Sequence, residues 1–162
     1  ATVAASLGVG DAAAQARVGG FLTQAEFALL DELSEMIIPT DAHSPGARAA
    51  KVADFIDARL AEAWEPKDRA DWRSGLALVD RLSQEANTVS FMKASPAQRL
   101  TVLTRMAQNE GKAQKPEELF FKELKERVIQ AYYTSEIGIK QDMQYKGNVP
   151  LPEFVGYDVS KE

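Results

Sequence analysis

The stretch that decides the fold is PEELFFKELKERVIQAYYTSEIG, residues 116–138. Pro116 suits the first turn of a helix, and the helix dipole favours the acidic Glu117 and Glu118 that follow it. Apolar residues then recur at helical spacing. This stripe consists of Phe120, Phe121, Leu124, Val128, Ala131 and Tyr132. With Gly138 as its exit, the stretch predicts a helix with one buried face.

Four more helices are predicted upstream. Thr23 and Glu26 form a capping-box pattern that starts the first, and Pro39 stops it. A second helix is predicted over about residues 47–64. The apolar stripes of these two helices are Phe27, Leu30, Leu33 and Ile37, then Val52, Phe55, Ile56, Leu60 and Ala63.

The third helix is predicted to start at Pro66, and the fourth to run from the start signal Ser95-Pro96 to Gly111. Their stripes are Trp72, Leu76, Val79 and Leu82, then Leu100, Leu103, Met106 and Ala107. No alternating strand pattern occurs in the sequence. The predicted fold class is therefore all-α, a small bundle of about five helices over residues 17–136.

Composition limits what the chain can do. Its 162 residues suffice for one domain, and a net charge of -5 argues against a nucleic-acid-binding face. No run of 18 apolar residues encodes a membrane span. The absence of cysteine excludes disulfides, thiolate nucleophiles and iron–sulfur clusters. The single histidine, His43, restricts general acid–base catalysis and transition-metal sites.

Residues 1–16 are predicted to be the remnant of an export signal. The opening is mildly apolar and rich in small residues, and Ala14-Gln15-Ala16 is the A-x-A pattern that signal peptidases accept. The mild hydrophobicity suits a twin-arginine signal, although no Arg-Arg pair is present. The alternative is a flexible, Ala-rich linker.

Residues 137–162 are predicted to form a long, irregular tail of extended chain that wraps a partner. Glycines and prolines interrupt its periodicity, yet the tail is too apolar for a solvated linker. Together with the end of the last helix it carries an aromatic cluster of Tyr132, Tyr133, Tyr145, Phe154 and Tyr157. Tyrosine is enriched at interfaces. The cluster therefore indicates either a partner-binding surface or a seam where the tail covers its own bundle.

Few side chains could carry chemistry. His43 and Asp41 could contribute to a metal or acid–base site, but no second histidine completes one, and an exposed loop histidine is the simpler interpretation. The acidic residues between 117 and 126 alternate with lysines and indicate a solvated face rather than a carboxylate metal site. A nucleophilic Ser135 would need a base to take its proton, and no second histidine is available. No catalytic, cofactor-binding or metal-binding residue is predicted.

Several motifs occur in one order along the chain. They are Phe21-Leu22-Thr23, Ile37-Ile38-Pro39-Thr40-Asp41, Pro45-Gly46-Ala47, Phe120-Phe121-Lys122-Glu123-Leu124, Tyr132-Tyr133-Thr134-Ser135-Glu136 and Gln144-Tyr145-Lys146-Gly147-Asn148. In that order they resemble the gluconate 2-dehydrogenase subunit 3 family, the small or gamma subunit of bacterial membrane-associated sugar dehydrogenases. The resemblance covers about residues 21–157. Its most specific parts are the Pro-Thr-Asp…Pro-Gly-Ala loop and the tyrosine-rich stretch.

The resemblance implies a role without chemistry of its own. In that family the large subunit is an FAD-containing flavoprotein of the glucose–methanol–choline oxidoreductase type, and a cytochrome c often accepts the electrons. The small subunit assists folding, stability and twin-arginine export of the large one. We therefore expect no cofactor in this chain, FAD in the partner, and a periplasmic location with membrane association through partners.

An obligate interface of this kind is large and apolar. We therefore expect Tyr132, Tyr133, Tyr145, Phe154 and Tyr157 to dock the flavoprotein. Two other classes of function stay open on the sequence alone. One is a self-contained exported helical domain that binds a small ligand, and the other is a free-standing enzyme with a carboxylate metal site.

Overall fold

Five α-helices build the bundle in the computed structural model, which describes residues 17–147. They are α1 Gln24–Ile37, α2 Val52–Glu62, α3 Pro66–Asn87, α4 Pro96–Met106 and α5 Pro116–Tyr133. Two 3-10 turns, Phe91–Lys93 and Glu110–Lys112, precede α4 and α5, and a π-helical turn, Gly138–Asp142, follows α5. Residues 17–147 contain no β-strand, so the predicted all-α class is confirmed.

Helix α5 lies at the centre of the fold and contacts all four other helices. Its predicted stripe is confirmed, because all six of those side chains are buried. Phe120 packs edge-to-face on Trp72 of α3, with ring centroids 5.7 Å apart. Gly75 of α3 permits this approach, since a Cβ added there would overlap the Phe120 ring. The core therefore forms around the stretch with the clearest helical pattern.

The predicted helix starts are confirmed where a cap or a proline marks them. Thr23 Oγ1 accepts the N–H of Glu26 at 3.2 Å, and Glu26 Oε2 accepts the N–H of Thr23 at 2.8 Å. Ser95 and Gln98 form the same reciprocal pair before α4. These signals are local, because each satisfies backbone groups that the first helical turn leaves unpaired.

Other boundaries and faces differ from the prediction. Helix α2 begins at Val52 rather than near residue 47, because Lys51 adopts a left-handed conformation with φ 55°. Helix α4 ends at Met106, before Gly111. Phe55 and Leu100, predicted in the inner stripes of α2 and α4, are 43% and 58% exposed.

The segment that precedes α1 is bound to α2 by hydrogen bonds. The buried carboxylate of Asp57 accepts the N–H groups of Phe21 and Leu22, each at 2.8 Å. Arg17 Nη1 lies 3.4 Å from Asp57 Oδ2, and its guanidinium stacks over the Phe27 ring. The predicted export-signal remnant, residues 1–16, lies outside the described residues.

The first residues of the predicted tail differ from the expected extended conformation. Residues 138–142 form a π-helical turn, so the first part of the segment predicted as extended is helical. Gly138 lies against the backbone of Tyr132, where an added Cβ would overlap the Tyr132 carbonyl. The rest of the predicted tail, residues 148–162, lies outside the described residues.

Candidate interaction site

The two most specific sequence motifs meet in space at the end of α5. The hydroxyl of Tyr132 lies 2.6 Å from Ser44 Oγ and 2.6 Å from the carbonyl oxygen of Pro45. Ser44 and Tyr132 are both buried. The loop between α1 and α2 is thereby fixed to the helix that organises the core.

The loop is also ordered from within. Asp41 Oδ1 accepts the N–H groups of His43 and Ser44 at 2.7 and 2.9 Å. These two hydrogen bonds, from Ser44 first and then His43, lower the pKa of Asp41. Asp41 is therefore committed to the loop as an acceptor and is not arranged as half of an acid–base pair.

A second set of contacts closes the loop against α1. Burial raises the pKa of Glu35, but hydrogen bonds from Arg48 and Thr40 outweigh it, and the net pKa is lowered. Thr40 Oγ1 in turn accepts the N–H of Gly46 at 2.9 Å. A side chain at Gly46 would overlap the Thr40 backbone and the Glu35 carboxylate. The Pro-Gly-Ala motif therefore supplies a close backbone approach that only glycine permits.

The π-helical turn is bound to the same loop. His43 Nε2 lies 3.2 Å from the backbone oxygen of Asp142 and 3.8 Å from its Oδ1. A hydrogen bond to the Asp142 carboxylate, together with burial, raises the pKa of the Tyr133 hydroxyl. The prediction of an exposed loop histidine is confirmed, and Asp142 is the contact that sequence reasoning missed.

The five predicted docking residues differ in their exposure to solvent. Tyr132 is 1% exposed, so its assignment to a partner surface is wrong, because its ring and hydroxyl are used inside the bundle. Tyr133 and Tyr145 are 41% and 52% exposed. Phe154 and Tyr157 lie outside the described residues.

Two further apolar side chains are exposed near these tyrosines. Ile129 lies one turn before Tyr133 on α5, and Met143 follows the π-helical turn. We call Ile129, Tyr133, Met143 and Tyr145 the C-terminal patch. Sequence reasoning missed Ile129 because it falls off the buried stripe of α5. An apolar residue on an otherwise charged face was the available signal.

The described residues offer little for catalysis. Between residues 17 and 147, no cluster of three or more His, Asp or Glu side chains could hold a metal ion. Ser135 Oγ donates to the Tyr132 carbonyl at 2.6 Å and accepts the Gly138 N–H at 3.0 Å, which completes the end of α5. None of the five α-helices is long and apolar enough to cross a membrane.

Comparison with known protein families gives a match. The family model described as gluconate 2-dehydrogenase subunit 3 matches residues 24–150, more than three quarters of the 162 residues. The match spans all five helices and both motifs that meet at Ser44 and Tyr132. Comparisons with curated proteins and with solved structures give no match.

Proposed function

The chain belongs to the gluconate 2-dehydrogenase subunit 3 family, and from this premise we propose that it is the non-catalytic small subunit of a periplasmic sugar or polyol dehydrogenase. The proposed partner is a large flavoprotein of the glucose–methanol–choline oxidoreductase type. FAD and the catalytic residues belong to that partner, and a cytochrome c is a further proposed partner that accepts the electrons.

The observation that carries this proposal is the C-terminal patch. Three of its members, Tyr133, Met143 and Tyr145, are between 41% and 56% exposed around the end of one helix. Tyrosine and methionine are enriched at interface centres, where they contribute large contact area. The His43–Asp142 and Tyr132–Ser44 contacts bind the π-helical turn and the end of α5, which carry the patch, to the loop between α1 and α2.

The small number of side chains available for catalysis supports a non-catalytic role. Asp41, Glu35 and Ser135 are engaged in loop and helix-end hydrogen bonds. An accessory subunit needs a stable surface rather than a reactive group. We propose that this surface assists folding and stability of the large subunit, and that the two chains leave the cytoplasm together through twin-arginine export.

Deletion in the native host tests the proposed role in export. Without this chain, we expect the large subunit to remain in the cytoplasm and to lose activity. Restoring the full chain should return both activity and periplasmic location. Restoring it with Tyr133→Ala and Tyr145→Ala together should return less of both. Normal export and activity of the large subunit in the deletion strain would contradict the proposal.

A small-ligand-binding domain is the second candidate function. It is favoured by a groove of about 330 Å³ between α2, the start of α3 and α5, a size at the lower end for ligand sites. This candidate predicts a stable monomer and no co-purifying oxidoreductase.

A further inference from the structure

The C-terminal patch alone is too small for the permanent interface that the proposed function requires. Its four side chains are between 39% and 56% exposed. A large side chain has a surface of roughly 200 Å², so the patch offers on the order of 400 Å². A permanent interface buries about 1,000 Å² or more on each partner. The contact surface must therefore continue onto a neighbouring part of the bundle.

The groove between α2, α3 and α5 adjoins the patch. Gln130 of α5 lines this groove, and Tyr133 of the patch lies three residues further along the same helix. Side chains three residues apart are neighbours on the surface of a helix. Because both side chains are exposed, the outward face of α5 leads directly from the patch into the groove.

Two exposed aromatic side chains lie at the α2 side of the groove. Phe55 lines the groove, is 43% exposed, and has the Arg59 guanidinium over its ring, 5.5 Å from the centroid. Trp64 follows the lining residue Ala63 in the short turn between α2 and α3, and it is 96% exposed. Within residues 17–147, every exposed phenylalanine, tyrosine or tryptophan therefore lies either in the patch or at this groove.

The groove carries charges of both signs, and one of them has no partner. Arg59 pairs with Glu62 at 3.0 Å. Asp68, the acidic lining residue, interacts electrostatically with Lys67 beside it. The Arg127 guanidinium differs, because it forms no hydrogen bond or ion pair within residues 17–147. A single carboxylate from outside this part of the chain would complement it.

We propose that the interface with the large subunit continues from the C-terminal patch across the groove to Trp64. The inference rests on the proposed function and specifies which further surface the partner covers. A segment of the large subunit occupies the groove, with an apolar side chain against Phe55 and a carboxylate at Arg127. Trp64 packs against the same partner, and tryptophan is enriched among the residues that dominate binding energy.

The size of the groove favours a protein partner over a small ligand. Its volume of about 330 Å³ is that of a few side chains. A small ligand that filled it would leave Trp64 exposed in the turn and would add nothing to the area of the patch. A segment of a large partner covers the patch, the groove and Trp64 together.

Cysteine labelling in the purified complex tests this surface. The chain has no cysteine, so Glu65→Cys places its only thiol beside Trp64, at an exposed position whose side chain does not cap α3. We expect maleimide to label this thiol at least about tenfold more slowly in the co-purified complex than in the isolated full chain, because interface centres exclude solvent. Mass spectrometry of this chain gives the rates. Thr104→Cys, exposed on α4, should react equally fast in both.

Two substitutions test the energetic part of the proposal. Trp64→Ala should weaken binding of the large subunit by roughly 30-fold, the loss expected for a hot spot. Arg127→Gln should weaken it by roughly tenfold, because a partner carboxylate loses its cation. Lys112→Gln is the matched control, since this exposed lysine lies before the opposite end of α5, and it should bind normally.

The outcomes separate this inference from the proposed function. Equal labelling of Glu65→Cys with and without a bound large subunit, or normal binding by Trp64→Ala, would overturn the inference and leave the proposed function standing. Absence of any co-purifying large subunit would overturn both. Protection of Glu65→Cys in the isolated chain that increases with its concentration would make a second copy the occupant, and this result would also overturn the inference.

Discussion

The hydroxyl of Tyr132 lies 2.6 Å from Oγ of Ser44, although 88 residues separate the two along the chain. The same hydroxyl donates to the Pro45 carbonyl at 2.6 Å. Either hydroxyl can be the donor in the Tyr132–Ser44 contact, since Ser44 Oγ also lies 3.3 Å from the Pro45 carbonyl oxygen. The loop between α1 and α2 is therefore joined to the end of α5 by the buried contacts of one hydroxyl group.

Tyr132→Phe should lower the free energy of unfolding by about 1–3 kcal/mol, because it leaves the buried Ser44 hydroxyl and Pro45 carbonyl with only their mutual 3.3 Å contact. Urea denaturation measures this change. Tyr133→Phe is the matched control, since Tyr133 is 41% exposed and the Asp142 carboxylate that its hydroxyl contacts can bind water instead. Equal losses in the two variants would show that the Tyr132 hydroxyl adds nothing specific.

Gly75→Ala should destabilise the bundle, although alanine is normally the better helix former. The added Cβ would overlap the ring of Phe120, and overpacking of this kind costs about 1–3 kcal/mol. Gly111→Ala is the control, because nothing lies within 4 Å of a Cβ there. Thermal unfolding should separate the two variants, and a Gly75→Ala variant as stable as the parent would disprove the packing argument.

Stability should depend on pH through Glu118. Its carboxylate accepts the N–H groups of Gln114 and Lys115 and the side-chain amide of Asn109, which lowers the pKa of Glu118 from 4.5 to about 2. The folded-state pKa is therefore below the unfolded value. The stabilisation is complete above pH 4.5 and is lost as the pH falls towards about 2.

Glu118→Gln should flatten the loss of stability over that acidic range. Urea midpoints measured at a series of pH values give the comparison. Glu126→Gln, an exposed acid on the same helix, should retain the slope of the parent. If Glu118→Gln keeps the parental slope as well, the pH dependence has another source.

The C-terminal patch makes a prediction about assembly. Tyr133→Ala with Tyr145→Ala should weaken binding of the large subunit by roughly 30-fold or more, if either tyrosine is a hot spot worth about 2 kcal/mol. Far-UV circular dichroism should stay helical, because both side chains are exposed. Leu100→Ala, at an exposed apolar position on α4, should bind normally. Undiminished binding by the double variant would remove these tyrosines from the interface.

The parts of the fold that depend on neighbouring residues could be predicted from the sequence. The cap at Thr23 and Glu26 needs only one helical turn, and its prediction is confirmed. The stripe of α5 is confirmed because four helices surround it, so every position on its apolar face meets a neighbour. The apolar pattern of a helix therefore predicts its buried face well when the helix is surrounded by others.

The misplaced residues depend on contacts between distant parts of the chain. Leu100 fits the apolar period of α4, but this peripheral helix packs mainly on α3 and α5 and leaves Leu100 exposed. Tyr132 suits an interface by residue type, yet its partners Ser44 and Pro45 come from a loop far upstream. Helical periodicity contains no information about which side chain lies across such a distance.

Affinity purification of the tagged full chain from its native host tests the central claim most directly. The visible spectrum of the eluate and mass spectrometry of its components are the readouts. The account predicts a flavin spectrum and a large oxidoreductase in near-stoichiometric amount. A lone, colourless and stable monomer would contradict it.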